Sequence, residues 1–204
     1  MDEKLLNIRE AAQFLGVSVD TLRRWDKNGK LAAIRKEGGT HRYYAKEDLE
    51  LFVSDLSRLA SVWVLSGGDI PSGFYCSNSA DFQARLLKMQ DLLIASKKVG
   101  KIFSLIVAVA GEIGNNSFDH NLGNWPDVPG IFFGYDINKG IIVLGDRGLG
   151  VLKTLSRVRP SLANHQDALR VAFIETISGR APEERGNGLK FVREVVEKNP
   201  LNLF

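Results

Sequence analysis

The stretch Glu112-Ile113-Gly114-Asn115-Asn116-Ser117-Phe118-Asp119-His120-Asn121 decides the fold of the larger part of this chain. It is read together with Gly145-Asp146-Arg147-Gly148-Leu149-Gly150 and Arg185-Gly186-Asn187-Gly188-Leu189. The first stretch closes a helix expected over 101–121, apolar at its start and polar near its end. Glu112, Asn116 and His120 fall at i, i+4 and i+8. At about 100° per residue they drift by about 80° in total and stay on one face, with Asp119 beside them. A carboxylate, an amide, an aspartate and an imidazole in a row suit a Mg²⁺–phosphate site. Mg²⁺ takes oxygen ligands plus water, and the Asn116 carbonyl can supply one. Glu112 is the candidate catalytic group, placed to polarise a water. Read alone, the same residues also fit a polar helix end with no ligand.

The flanking stretches favour the site. Residues 130–136 and 141–145, joined by the turn Ile137-Asn138-Lys139-Gly140, read as a β-hairpin. Asp146 ends the second strand, and Gly148 and Gly150 let the backbone turn tightly beside a ligand. Residues 151–185 are basic in places (Lys153, Arg157, Arg159, Arg170, Arg180, Arg185) and partly helical, which suits a lid. Gly186 and Gly188 then open a helix over 189–198, starting at Leu189. A glycine-rich helix start presents free N–H groups to phosphate.

Upstream, Phe82, Leu86, Leu87, Met89, Leu92 and Leu93 give residues 80–97 the pattern of an amphipathic packing helix. Residues 62–65, Val-Trp-Val-Leu, read as a strand, and 66–73 as a loop. The reading divides the chain into 1–57, a linker or strand over 58–80, and a second domain over 81–204.

The first segment has a different character. Ile8, Ala11, Ala12 and Leu15 follow helical spacing, and Gly16 stops that helix as a left-handed C-terminal glycine does. Ser18 caps a second helix over 19–26. Two short helices joined by Gly16-Val17-Ser18 read as a helix-turn-helix. Leu22 and Trp25 face its core. Residues 31–36 and 41–44, with a glycine turn between them, read as a hairpin wing, and a third helix follows from Asp48. From Leu22 to Lys46 there are eight basic residues against two acidic ones, a local excess of six. That is the footprint expected of phosphate contacts.

Residues 5–55 resemble the winged helix-turn-helix of the MerR and excisionase class. The stretches that carry this are Ala11-Ala12-x-Phe14-Leu15-Gly16-Val17-Ser18, Thr21-Leu22-Arg23-Arg24-Trp25 and Gly38-Gly39-Thr40-His41-Arg42-Tyr43. The resemblance implies double-stranded DNA as partner. Thr21, Arg23 and Arg24 would meet the major groove, and Arg35, His41, Arg42 and Tyr43 would act from the wing. The long dimerising helix usual in MerR proteins is missing, so a homodimer would form through another surface, or the DNA site is single.

Residues 80–200 resemble the ATP-binding (GHKL) domain of gyrase B, the heat-shock chaperone of ninety kilodaltons, sensor histidine kinases and mismatch-repair ATPases. Glu112-x-x-x-Asn116-Ser117-x-Asp119 resembles the first box in its gyrase-like form, and His120 resembles the anti-sigma kinase form. The resemblance implies ATP and Mg²⁺ as cofactors, with Glu112 and Asn116 at the metal. Asp146 would accept a hydrogen bond from the adenine amino group, and Gly148, Gly150, Gly186 and Gly188 would shape the base and phosphate pockets. The implied fold is an α/β sandwich with a mixed sheet and helices on one side, so that the whole chain is α+β. No phosphoacceptor helix precedes this part, no domain with a catalytic lysine follows it, and the terminal hairpin usual after the last box is missing. Either the domain is minimal, or the chain is a piece of a longer one, or a protein partner completes the sheet or responds to the domain.

The expected function is an ATP- and DNA-binding regulator, with nucleotide ordering the lid over 151–184. The alternatives are an anti-sigma-type serine/threonine kinase and an ATPase of a mobile-element or toxin–antitoxin-like system. The bulk composition agrees with a globular chain. It has 204 residues, 44% hydrophobic content and a net charge of +3. Its single cysteine, Cys76, excludes an intrachain disulfide and favours a reducing cytoplasm. No charged-then-apolar leader opens the sequence, and the apolar run over 102–109 is far shorter than a membrane span.

Overall fold

The computed structural model describes residues 5–35, 39–96, 99–121, 123–175 and 187–204. The chain opens with strand β1 (Leu5–Asn7), helix α1 (Ile8–Leu15) and helix α2 (Val19–Lys27). Asn7 and Glu10 form a reciprocal capping box at the start of α1, which satisfies N–H groups that have no partner within the helix. Gly16 ends α1 with φ 65°, the left-handed conformation expected of it. Ser18 caps α2 by accepting the Thr21 N–H at 3.0 Å. Strand β2 (Tyr43–Ala45) pairs antiparallel with β1 and leads into α3 (Lys46–Ser54). Of the expected wing hairpin, the described residues contain one antiparallel bridge, Ile34 with Tyr43. Glu37 and Gly38 of the expected turn over 37–40 lie outside them.

Helix α4 (Leu56–Ser66) corrects the expected strand at 62–65. The run Val62-Trp63-Val64 is β-branched and aromatic, and so favours a strand locally. Leu56, Leu59, Ala60 and Trp63, however, repeat at i, i+3, i+4 and i+7, and all four are buried. Asp55 caps the helix by accepting the Arg58 N–H at 3.1 Å. Tertiary burial of one helical stripe overrides the local preference.

A 3₁₀ turn (Ser72–Phe74) leads to β3 (Tyr75–Cys76). Helices α5 (Ser79–Ser96) and α6 (Phe103–Asn121), strands β4 (Ile131–Asp136) and β5 (Ile141–Asp146), and helices α7 (Gly150–Leu155), α8 (His165–Ile174) and α9 (Gly188–Lys198) complete the order. The sheet runs β3-β4-β5 with both pairings antiparallel. The expected hairpin is present, with Ile131 opposite Asp146 and Asp136 opposite Ile141.

Strand β4 alternates between two cores. Phe132 packs with Leu56, Leu59 and Trp63, in a cluster that continues without a break into Ala11, Leu22 and Trp25. Ile131 and Phe133 pack with Phe82, Leu86 and Met89 of α5 and with Ile106 and Ala110 of α6. The sheet is therefore covered on both faces, by α4 on one side and α5 with α6 on the other. The expectation of a mixed sheet with helices on one side differs from this: the described strands are all antiparallel, and α4 fills the face expected to be free. The cause is the period-2 pattern of β4, which puts bulky side chains on both sides.

Helices α5 and α6 approach closely because α6 carries glycines where they meet. A Cβ at Gly114 would overlap the Phe82 ring, and one at Gly111 would lie 3.3 Å from Leu86. No helix among the described residues is long and apolar enough to cross a membrane.

Candidate functional site

Helix α6 presents three different faces at its C-terminal end, and each meets a separate element. Gly111 and Gly114 face α5. Glu112 and Asn116 face the start of α9: a Cβ at Gly188 would run into the Glu112 carboxylate and come within 3.7 Å of the Asn116 amide. Ser117 and Asn121 face the turn after β5. The Ser117 hydroxyl donates to Asp146 Oδ2 at 2.7 Å, and the Gly148 N–H donates to Asp146 Oδ1 at 2.8 Å. Asn121 accepts the Leu149 N–H at 2.8 Å and donates to Ser117 O at 2.8 Å, fixing its amide directly beneath Gly148. Any side chain at Gly148 would collide with that amide.

Glu112 and Asn116 thus meet Gly188 on one face of α6, and Asp146 and Gly148 meet Ser117 and Asn121 on another; Glu112, Asn116, Asp146, Gly148 and Gly188 are all half-buried. Gly150, φ 76°, opens α7. Leu189 is half-buried in the first turn of α9 and packs against the small core of α7 and α8. Asp119 is exposed and His120 half-buried on the same helix. Gly186 lies outside the described residues, as does the 176–184 part of the expected lid. The rest of the lid is α7 and α8, tied together by Arg159, whose guanidinium grips Glu175 through two bonds of 2.9 and 2.6 Å. That pairing holds the Glu175 carboxyl below its ordinary value. Beside it a cavity of about 400 Å³ is lined by Leu162, Arg170, Val171 and Ile174 among others.

Sequence reasoning did not single out Asn121 or assign a role to Ser117. The signal was available: both lie on one face of α6, one turn apart.

Among the described residues, no group of three or more His, Cys, Asp or Glu side chains is arranged around a common point. Glu112 and Asn116 would offer a cation two oxygen donors. That fits Mg²⁺, which keeps several waters and takes its other ligands from phosphate.

The N-terminal candidates divide into three sets. Arg23 is exposed on α2 and pairs with Asp20 at 2.7 Å. Arg24, also exposed, pairs with Asp69 from the loop after α4. Thr21, expected at the groove, is only 3% exposed, and its hydroxyl donates to that same Asp69 carboxylate at 2.6 Å.

The wing arginines converge on α2. Arg35 Nη2 and Arg42 Nε both donate to Asp26 Oδ2, at 2.5 and 2.7 Å, while Ala33 N–H donates to Oδ1 at 3.0 Å. Burial pushes the Asp26 carboxyl up, but the bonds from Ala33, Arg42 and Arg35 outweigh it and leave it below its ordinary value. His41 is exposed. Tyr43 is half-buried in β2, where its backbone pairs with Ile34.

Comparison with known proteins bears on the N-terminal segment. Residues 5–57 match the family described as helix-turn-helix domain. A type II methyltransferase of Escherichia coli, M.Eco47II, is 42% identical over 57 residues, which is 28% of this chain and 14% of that protein. The transcriptional repressor DcmR of Methylorubrum extorquens is 43% identical over 60 residues, 29% of this chain and 23% of the repressor. The aligned stretches therefore span less than a quarter of either relative. No solved structure matches the chain. Family match and capped turn agree: residues 5–57 form a helix-turn-helix domain.

Proposed function

We propose that this chain is a DNA-binding transcriptional regulator whose C-terminal part binds Mg-ATP. The DNA half rests on the helix-turn-helix, on the exposed cations Arg23, Arg24 and Lys27 of α2, and on similarity to a protein named as a transcriptional repressor. In a winged arrangement of the MerR kind, α2 enters the major groove while Arg35, His41, Arg42 and Tyr43 lie along the backbone.

The observation that supports the nucleotide half is that one helix, α6, meets both parts of the expected site: the α9 start at Glu112 and Asn116, and the Asp146–Gly148 turn at Ser117 and Asn121. Asp146 is held by one bond to each oxygen, from Ser117 and Gly148, which aims its remaining lone pairs. Such an acceptor suits the exocyclic amino group of adenine. Gly188 brings the N–H groups of the first turn of α9 beside Glu112 and Asn116, where phosphate oxygens would be received. Mg²⁺ held by Asn116 and Glu112 would neutralise phosphate charge. Asp119, His120, Gly150 and Leu189 complete the pocket in this reading, and Gly186, outside the described residues, is assigned to it by the resemblance alone. Nucleotide occupancy would order the expected lid over 151–184 and so bias the binding of DNA or of a protein partner.

The test is calorimetric titration of Mg-ATP into the wild-type chain and into Asp146→Asn. Saturable binding that the variant loses supports the reading. A folded wild-type protein that takes up no Mg-ATP removes the nucleotide half and leaves the helix-turn-helix half standing.

A further inference from the structure

The second helix of the helix-turn-helix is already in contact with an acid from elsewhere in the chain. Asp69 lies in the loop between α4 and β3, far from α2 in sequence, yet its Oδ2 accepts the Thr21 hydroxyl at 2.6 Å and pairs with Arg24. Lys30 Nζ reaches the Asp69 main-chain oxygen at 3.4 Å. Ser72 of the same loop packs on Gly16, in the turn between α1 and α2, so closely that a Cβ there would overlap its hydroxyl. A hydroxyl and a guanidinium one turn apart on this helix are donors of the kind that take a DNA phosphate. Asp69 supplies the same chemistry, an anionic oxygen accepting from both.

The loop is also gripped from behind. Arg147 Nη1 donates to Trp63 O at 2.6 Å and Val64 O at 2.7 Å, two carbonyls in the last turn of α4. Its guanidinium lies so close to Gly67 that a Cβ there would sit 3.2 Å from Nη2. Arg147 also pairs with Asp127. In sequence it stands between Asp146 and Gly148. Arg85 of α5 donates to Ser72 O at 2.6 Å and also to Gly73 O. The segment that carries Asp69 is thus suspended between the DNA-reading helix and the turn after β5.

We propose that the 67–72 loop is an intramolecular brake. Asp69 stands in for a DNA phosphate on Thr21 and Arg24 and must withdraw before that edge of α2 can dock, and Arg147 is the positioning residue that sets the loop. The inference rests on the DNA-binding reading of α2. The Asp69–Arg24 pair is half-exposed, with side chains 49% and 61% accessible. Such a pair holds weakly enough for DNA to displace it. Arg23 and Lys27 remain exposed on α2 without touching Asp69 in any described contact, so the brake lowers affinity rather than abolishing it.

The experiment measures binding of the full chain to a fluorescent mixed-sequence DNA duplex at several salt concentrations. The proteins are wild type, Asp69→Asn, Arg24→Ala, the double variant and Arg23→Ala. Asp69→Asn is isosteric, and its fold is checked by thermal unfolding. Releasing the competitor raises the competent fraction, so Asp69→Asn is expected to bind about ten-fold tighter, with a salt slope steeper by about one contact. Removing a nearby negative charge would by itself tighten binding, and the double variant separates the two causes. Under the brake, Arg24→Ala costs several-fold more affinity in the Asp69→Asn background than in wild type, because only there is Arg24 released to DNA. Additive effects, or an unchanged affinity for Asp69→Asn, overturn the brake, while Arg23→Ala still weakening the complex leaves the DNA reading intact. If neither wild type nor Asp69→Asn binds the duplex at low salt, the DNA reading fails and the brake fails with it.

Discussion

Ser117 reaches across from α6 to donate its hydroxyl to Asp146 Oδ2 at 2.7 Å, joining the last turns of the helix to the end of β5. With Gly148 N–H on the other oxygen, it leaves the carboxylate no freedom to swing. Ser117→Ala removes one of the two constraints. A neutral-to-charged hydrogen bond of this kind contributes about 1–2 kcal/mol. The expected result is a five- to thirty-fold loss of Mg-ATP affinity by calorimetry, roughly the same energy expressed as a binding ratio. DNA binding without nucleotide should not change. Wild-type nucleotide affinity in the variant would mean that Asp146 is not the base-recognising acceptor.

Gly148 and Asn121 form a pair in which one has no side chain because the other needs the space. Gly148→Ala is expected to force the Asn121 amide away, breaking its bonds to Leu149 N–H and Ser117 O. Overpacking of this sort costs about 1–3 kcal/mol of stability. Asn121→Ala loses the bonds but makes room. The two substitutions should therefore be strongly non-additive, the double variant unfolding in denaturant no earlier than Gly148→Ala alone. Simple addition of the two losses would show that the contact is not what constrains the turn.

Much of this arrangement was legible in the sequence. The helix over 101–121, the hairpin ending at Asp146 and the helix from Gly188 have strong local signals: sustained period, a glycine turn, a glycine start. The helix-turn-helix was legible for the same reason, since Gly16 and Ser18 punctuate it. What could not be read were contacts set by tertiary placement. Trp63 and its β-branched neighbours favour a strand until the core on both sides of α4 is known. Thr21 has the character of a groove contact until Asp69, remote in sequence, is found on its hydroxyl. The same holds for Arg35 and Arg42, whose common partner Asp26 lies on a helix face where sequence periodicity alone places a half-exposed acid.

Asp26 ties the wing to α2 through three bonds. Burial acts to raise its carboxyl pKa, and the bonds from Ala33, Arg42 and Arg35 bring it below the ordinary value of 3.8. A depressed folded pKa adds stability that is complete above the unfolded value and is lost as pH falls through the folded one. Asp26→Asn is therefore expected to destabilise the N-terminal segment by about 2 kcal/mol near neutral pH. Thermal melts across the acid range check the sign. The gap between wild type and variant should narrow as pH drops below about 4, where the wild-type carboxyl begins to protonate. A gap of constant size down to acid would show that the carboxylate charge is not what holds the wing.

The sequence puts Arg23 at the groove and Arg42 on the wing, both as DNA contacts, and the structure separates what their removal should do. Arg23 is exposed and pairs with the neighbouring Asp20, an i,i+3 surface pair of small energetic weight. Arg42 is held on buried Asp26 with its side chain 31% exposed. Arg23→Ala is expected to leave the melting temperature within a degree or two, to weaken DNA binding several-fold and to reduce the salt slope by about one. Arg42→Ala removes a bond from a buried carboxylate and should lower stability by about 1–2 kcal/mol. Its DNA defect should shrink when the comparison is made well below the melting transition. Equal stability of the two variants would contradict the Asp26 anchor. Equal DNA defects at low temperature would instead put Arg42 on the phosphate backbone, through guanidinium N–H groups that Asp26 leaves available.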